Sequence, residues 1–145
     1  SLILCLSVGF LGSIFTVSSI PTWYASLNKP FFSPPNWLFA PVWTTLYLLM
    51  GFSFYLIWQK GIKNQAAILL FMIQLFLNFL WSVFFFGLHS PLLGLMEIII
   101  LWLVIFLTIK NFWKINKTSG ILLLPYLFWV SFASLLNLAV YLLNK

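Results

Sequence analysis

The sequence predicts an all-α fold, an integral membrane bundle of five transmembrane helices, on three observations. Of 145 residues, 63% are hydrophobic and 6% charged, with a mean hydropathy of +1.12. A soluble domain carries roughly 25% charged residues and at this length leaves about a third of its surface exposed, so it has nowhere to hide so much apolar area. A disordered chain needs the opposite composition. The second observation is that the apolar residues gather into five stretches, 2–20, 41–59, 66–88, 92–109 and 120–143, each near the ~20 residues a helix needs to cross a bilayer. The third is their length, which exceeds the about 9–11 residues of a barrel strand. Backbone groups in hydrocarbon must be satisfied within their own segment, which leaves helices. The reading is one domain over 1–145 whose main solvent is lipid.

The first span contains Gly9 and Ser13, a small-residue face suited to close helix contact or to a dimer. It lacks the basic start and A-x-A site of a signal peptide, and so reads as a helix. Its Cys5 is the single cysteine, so no disulfide framework or Cys/His metal site can be built. The connection 21–40 holds Pro21, Pro30, Pro34 and Pro35, with Pro41 at its end, among Trp23, Tyr24, Phe31, Phe32 and Trp37. Proline forbids a regular helix there and the rings seek burial. The stretch is expected to form a semi-rigid lid; an aromatic belt at the headgroups is the competing reading.

Helical spacing then marks three faces. The second span aligns Trp43, Tyr47, Met50, Phe54 and Trp58. The third places Gln74, Asn78, Trp81 and Phe85 along one side. The short turn His89–Pro91 makes the third and fourth spans antiparallel. On the fifth span Tyr126, Trp129 and Ala133 share a face, with Asn137 one turn on. Polar residues inside a span are costly and need a reason. One reason is a flat apolar pocket with aromatic walls and a few amide contacts; the other is helix–helix glue. Spacing leaves both open.

Glu97, the only acid, is expected near the outer headgroups, as a satisfied carboxylate or as a proton or ligand contact. His89 reads as a solvated turn histidine ahead of a haem ligand. One His, one Cys and one Glu, scattered without motif, exclude hydrolase and metalloenzyme chemistry. All seven basic residues are lysines, giving a net charge of +6. They stand singly between apolar runs and form no nucleic-acid patch. Lys60, Lys63, Lys110, Lys114 and Lys117 share a side with the N-terminus, against Lys29 and Lys145 opposite. The positive-inside rule then puts the N-terminus in the cytoplasm; a bacterial inner (cell) membrane is the expectation. No repeat or discontinuous helix pair points to an alternating-access transporter. Leu138, Tyr141 and Lys145 fit a pattern proposed for sterol contact.

The run Trp23-Tyr24-Ala25-Ser26-Leu27-Asn28-Lys29-Pro30, then Ser33-Pro34-Pro35 and Phe39-Ala40-Pro41-Val42-Trp43-Thr44-Thr45-Leu46-Tyr47, resembles the tryptophan-rich sensory protein/translocator protein (TspO/MBR) family. So do Gln74-Leu75-Phe76-Leu77-Asn78 with Trp81 and Phe85-Phe86-Gly87, and Pro125-Tyr126-Leu127-Phe128-Trp129 with Phe132-Ala133 and Leu136-Asn137. The resemblance covers nearly the whole chain in the right order. It implies a five-helix bundle, commonly a homodimer, that binds tetrapyrroles such as protoporphyrin IX and haem, and in animal members cholesterol and benzodiazepine-type ligands. It also implies a ligand site under the first loop, lined by Trp23, Tyr24, Trp43, Tyr47, Asn78, Trp81, Trp129, Ala133 and Leu136. The expected function is a receptor or sensor for tetrapyrroles, and for sterol-like lipids, with a role in their transport or regulation. The alternative is a light-dependent porphyrin-degrading enzyme that uses pocket tryptophans, as in some bacterial members. Phe32 and Leu93 stand where many members carry tryptophan, which leaves fewer indoles for such electron transfer.

Overall fold

The computed structural model describes residues 2–19, 23–24, 26–27, 29, 38–59 and 65–144. They form α1 (Leu2–Ser19), α2 (Phe39–Gln59), α3 (Gln65–Ser82) with a π-helical turn (Val83–Gly87), α4 (Pro91–Ile115), a short α5 (Lys117–Leu122) and α6 (Leu124–Leu143). The fold is all-helical, with no strand among the described residues. Four segments are long and apolar enough to cross a membrane: Pro41–Gln59, Gln65–Gly87, Pro91–Ile115 and Lys117–Leu143.

Local chemistry sets the helix ends. Ser90 caps α4, its hydroxyl accepting from the Leu93 N–H at 3.2 Å, and Pro91 opens the first turn, where a missing N–H costs nothing. His89 takes a positive φ of 54° to make that turn so short. At the opposite end the Asn116 side chain accepts from the N–H groups of Thr118 and Ser119, at 3.0 and 3.4 Å, and starts α5. The fourth and fifth spans therefore differ from the expected 92–109 and 120–143. Lys110 and Lys114 lie on α4 itself, and the predicted loop 110–119 shrinks to Asn116. Lysine is a good helix former, and one asparagine cap suffices to reverse the chain. Pro125 then sits in the first turn of α6, so the break at Leu123 loses no hydrogen bond to it.

The helices form a closed ring in the order α1, α2, α5–α6, α4, α3. Large apolar side chains on the outside (Phe10, Phe52, Phe76, Met96, Phe128 and Leu135 among them) are exposed, as a lipid-facing surface requires. At the end holding the α1 N-terminus, which we call the base, Ser53 and Ser119 exchange hydrogen bonds, each hydroxyl donating to the other's carbonyl at 2.8 and 3.0 Å. Phe54 stacks on Phe71 and Phe71 on Phe112, centroids 4.3 and 6.1 Å apart, which joins α2, α3 and α4. A base-side groove of about 290 Å³ opens on the outside between Leu4, Phe54, Tyr55, Trp58 and Met72.

The small-residue face of α1 turns inward. A Cβ on Gly9 would stand 2.7 Å from the Tyr47 ring, while the Ser13 hydroxyl donates to its own helix at Phe10. Gly9 is thus what lets Tyr47 lie between α1 and α2. Gly9→Leu is expected to cost about 1–3 kcal/mol by overpacking, read as a lower thermal unfolding midpoint in detergent. An unchanged midpoint would mean that Tyr47 is not fixed there.

Candidate functional site: an aromatic interior under the rim

The central space is spanned by side chains. Trp43, one turn into α2, has four aromatic neighbours: Tyr47 at 5.9 Å, Trp81 at 6.4 Å, Tyr126 at 6.5 Å and Trp129 at 6.4 Å between centroids. The last two meet it edge-on, at 72° and 90°, the arrangement that brings a ring edge to a ring face. Directly beneath runs a polar chain. The Tyr47 hydroxyl donates to Asn78 Oδ1 at 2.5 Å, and Asn78 Nδ2 donates to the Tyr126 hydroxyl at 2.7 Å. One amide thus links α2, α3 and α6. Toward the rim a second chain repeats the device: the Trp81 indole N–H donates to Asn137 Oδ1 at 3.0 Å, and Asn137 Nδ2 donates to the Pro91 carbonyl at 2.7 Å. Gly94 makes room for it, since a Cβ there would stand 2.9 Å from Asn137 Oδ1.

The rim closes over these layers. Phe85 stacks on Trp81 at 5.3 Å. In the π-helical turn at Val83–Gly87 the consecutive Phe85 and Phe86 are both buried. Trp23 meets Phe85 edge-on at 5.4 Å and stacks on His89 at 4.8 Å. Tyr24 is buried against Phe85 and Phe86. The Lys29 ammonium lies 4.9 Å from the Tyr24 ring centre and donates to the Tyr24 and Leu27 carbonyls at 2.9 and 3.4 Å. The start of the first loop is therefore fastened to the end of α3. Its proline-rich part, with Pro21, Pro30, Phe31, Phe32, Pro34, Pro35 and Trp37, lies outside the described residues.

Of the predicted residues, Trp43, Tyr47, Asn78, Trp81 and Trp129 meet directly, and Trp23 and Tyr24 join them through Phe85. Ala133 and Leu136 are buried one and two turns along α6 from Trp129. Trp58, placed by spacing on the same face of α2, is half-exposed at the base, away from this cluster. Leu93 is exposed. Tyr126 and Asn137 complete the polar chains; spacing placed both on the right face of the fifth span, but nothing in sequence shows which amide meets which ring. Glu97 is buried, 5% exposed, and neither carboxyl oxygen has a hydrogen-bond partner among the described residues. Among the described residues Gln74, one turn below Asn78, reaches only the Met50 sulfur at 4.0 Å through its amide nitrogen, and its oxygen has no partner.

A profile of the TspO/MBR family matches residues 1–143. The chain belongs to the TspO/MBR family. It is 52% identical over 145 residues to "Tryptophan-rich protein TspO" of Archaeoglobus fulgidus, covering 99% of this chain and 94% of that one. It is 39% identical to "Protein CrtK" of Rhodobacter capsulatus, over 97% and 88% of the two chains, and 35% identical to the human "Translocator protein", over 91% and 80%. Four membrane-length helices and this membership make it an integral membrane protein. The quoted blocks of the TspO/MBR resemblance include Trp43, Tyr47, Asn78, Trp81, Tyr126, Trp129 and Asn137, the residues among which the aromatic and amide contacts concentrate.

If Asn78 joins three helices, Tyr126→Phe is expected to lower stability by about 0.6 kcal/mol, the mean for a hydrogen bond between membrane helices. Asn78→Leu orphans two phenols and is expected to cost about 1–3 kcal/mol. A double-mutant cycle by thermal unfolding in detergent checks the coupling; additive effects would break the chain at Asn78.

Proposed function

We propose that this TspO/MBR protein is a membrane receptor or sensor that takes a tetrapyrrole, protoporphyrin IX or haem, among Trp43, Trp81 and Trp129, with a role in tetrapyrrole transport or regulation. The observation that carries the reading is the convergence of three indoles from three helices on one layer, with the small Ala133 buried one turn along α6. A flat ring sandwiched between two aromatic faces needs about 7 Å, two contacts of ~3.5 Å. The Trp43 and Trp81 rings, with centroids 6.4 Å apart and planes 31° from parallel, have to part to admit it. Its apolar faces gain from stacking, and its propionates reach the wet rim near Lys29. Tyr47, Asn78 and Leu136 line the inner wall, and Trp23 with Tyr24 form the closure.

The sensing or transport part of this reading is supported by the names of relatives, "Tryptophan-rich sensory protein" in Cereibacter sphaeroides and "Translocator protein" in cattle and man. In the proposed arrangement α1 is the fifth span and the protein works as a homodimer. The base lies in the cytoplasm of a bacterial inner (cell) membrane, because Lys110, Lys114 and Lys117 cluster there. A sterol-like lipid is a second ligand class for the same apolar interior. The packing of three indoles also favours a second reading, light-driven porphyrin degradation in which a tryptophan donates the electron.

Titration of the detergent-solubilised protein with protoporphyrin IX separates these readings, following tryptophan quenching in the dark and the porphyrin bands under illumination. Saturable quenching with a stable spectrum marks a receptor. Protein-dependent bleaching reduced by Trp129→Phe marks an enzyme, and absence of saturable quenching overturns both. Ala133→Phe is expected to weaken binding by at least about tenfold, or 1.4 kcal/mol, with the fold kept. Trp23→Ala is expected to speed porphyrin release in stopped-flow displacement; an unchanged rate would remove Trp23 from the closure.

A further inference from the structure

Glu97 is the chain's only acid, and among the described residues neither of its oxygens has a hydrogen-bond partner. It lies on the buried stripe of α4 with Gly94, Ile98 and Leu101, about 9 Å in from the helix start at 1.5 Å per residue. Gly94 abuts Asn137 on α6, and α4 and α6 run antiparallel against each other. One turn further in, Glu97 on α4 therefore comes level with Ala133 on α6, the small residue of the candidate site. The donors of Tyr47, Asn78, Trp81, Asn137 and Trp102 go to Asn78, Tyr126, Asn137, Pro91 and Ser131, and the Tyr126 hydroxyl, which accepts from Asn78, does not reach either Glu97 oxygen. Lys29 is held by loop carbonyls, and Lys110 is 13 positions along α4, about 20 Å away. A buried carboxyl with no partner costs more than an apolar side chain of its size, and such residues inside membranes mark function.

We propose that Glu97 is a ligand-binding residue that accepts a hydrogen bond from an N–H donor of the bound molecule. In a porphyrin lying over Ala133 that donor is the pyrrole N–H pair, which tips toward an acceptor on one face when the macrocycle saddles, a feature the aromatic walls cannot read. The inference rests on the tetrapyrrole reading and makes Glu97 the residue that distinguishes a metal-free ring from its metal complex.

The test compares protoporphyrin IX with its nickel(II) complex, which keeps the ring periphery, lacks N–H groups and takes axial ligands weakly. Both are titrated into the wild type, Glu97→Leu and Glu97→Gln, with thermal unfolding measured in parallel. The wild type is expected to prefer the metal-free ring by about tenfold, the order of one well-made hydrogen bond to a buried carboxyl. Glu97→Leu should erase that preference while keeping or raising the unfolding midpoint, since it removes an unpartnered polar group. Glu97→Gln, which retains a carbonyl acceptor, should keep most of it. A preference that survives in Glu97→Leu, or no preference in the wild type, overturns the assignment. So does a lower midpoint in Glu97→Leu, which would give Glu97 a structural partner. If the wild type binds neither porphyrin, the tetrapyrrole reading itself fails.

Discussion

Asn78 accepts from Tyr47 and donates to Tyr126, and through those two bonds it sets how far apart α2, α3 and α6 stand. In lipid the apolar outer faces of the helices gain nothing by leaving their solvent, so association depends on packing and on polar contacts that only the right partners satisfy. A short amide between two long phenols is such a contact. It holds helices together at the distance their side chains bridge, instead of drawing their backbones into contact. The layer above, where Trp43 faces Trp81 and Trp129, exists because that distance is kept. The same logic recurs in Asn137, which ties Trp81 to the start of α4. Two asparagines thus frame the aromatic layer, one on each side.

The rim adds the second constraint. Ser90, Pro91 and the positive φ of His89 make a turn too short to stray, and Trp23 lies flat on His89 while Tyr24 wedges against Phe85 and Phe86. The π-helical turn presents two consecutive phenylalanines to the interior. The beginning of the first loop is therefore packed on the same residues that stack on Trp81, so whatever moves the closure is felt by the ring layer below.

Much of this was legible in the sequence. Bilayer length and near-absence of charge identify spans without knowledge of packing, and the 3.6-residue period put Asn78, Trp81 and Phe85 on one face and Tyr126, Ala133 and Asn137 on another. What period cannot give is which amide meets which ring, because pairing between helices depends on their relative height and rotation. The π-helical turn was hidden for a related reason: Phe86 is apolar, and an apolar residue fits a lipid face as well as a core. Hydropathy also ended the fourth span at the first lysine, although Lys110 and Lys114 continue the helix with their charged heads at its edge. Sequence gives the position of Glu97 along its span but not which way it faces; the fold buries it, where neither oxygen has a hydrogen-bond partner among the described residues.

The serine exchange at the base has a mechanical meaning. Ser53 and Ser119 grip each other through two reciprocal hydrogen bonds, and the phenylalanine stack beside them locks the same level. α2 is thus pinned near its lower end, and its upper part is a lever. Trp43 stands ten residues above that pin, about 15 Å at 1.5 Å per residue. Tilting the helix by about 4° about Ser53 opens roughly 1 Å at Trp43 but only about 0.6 Å at Tyr47, within the reach of its bond to Asn78, while the base stays shut. A bundle built this way opens at its mouth like the jaws of a clothes peg, with its base held closed.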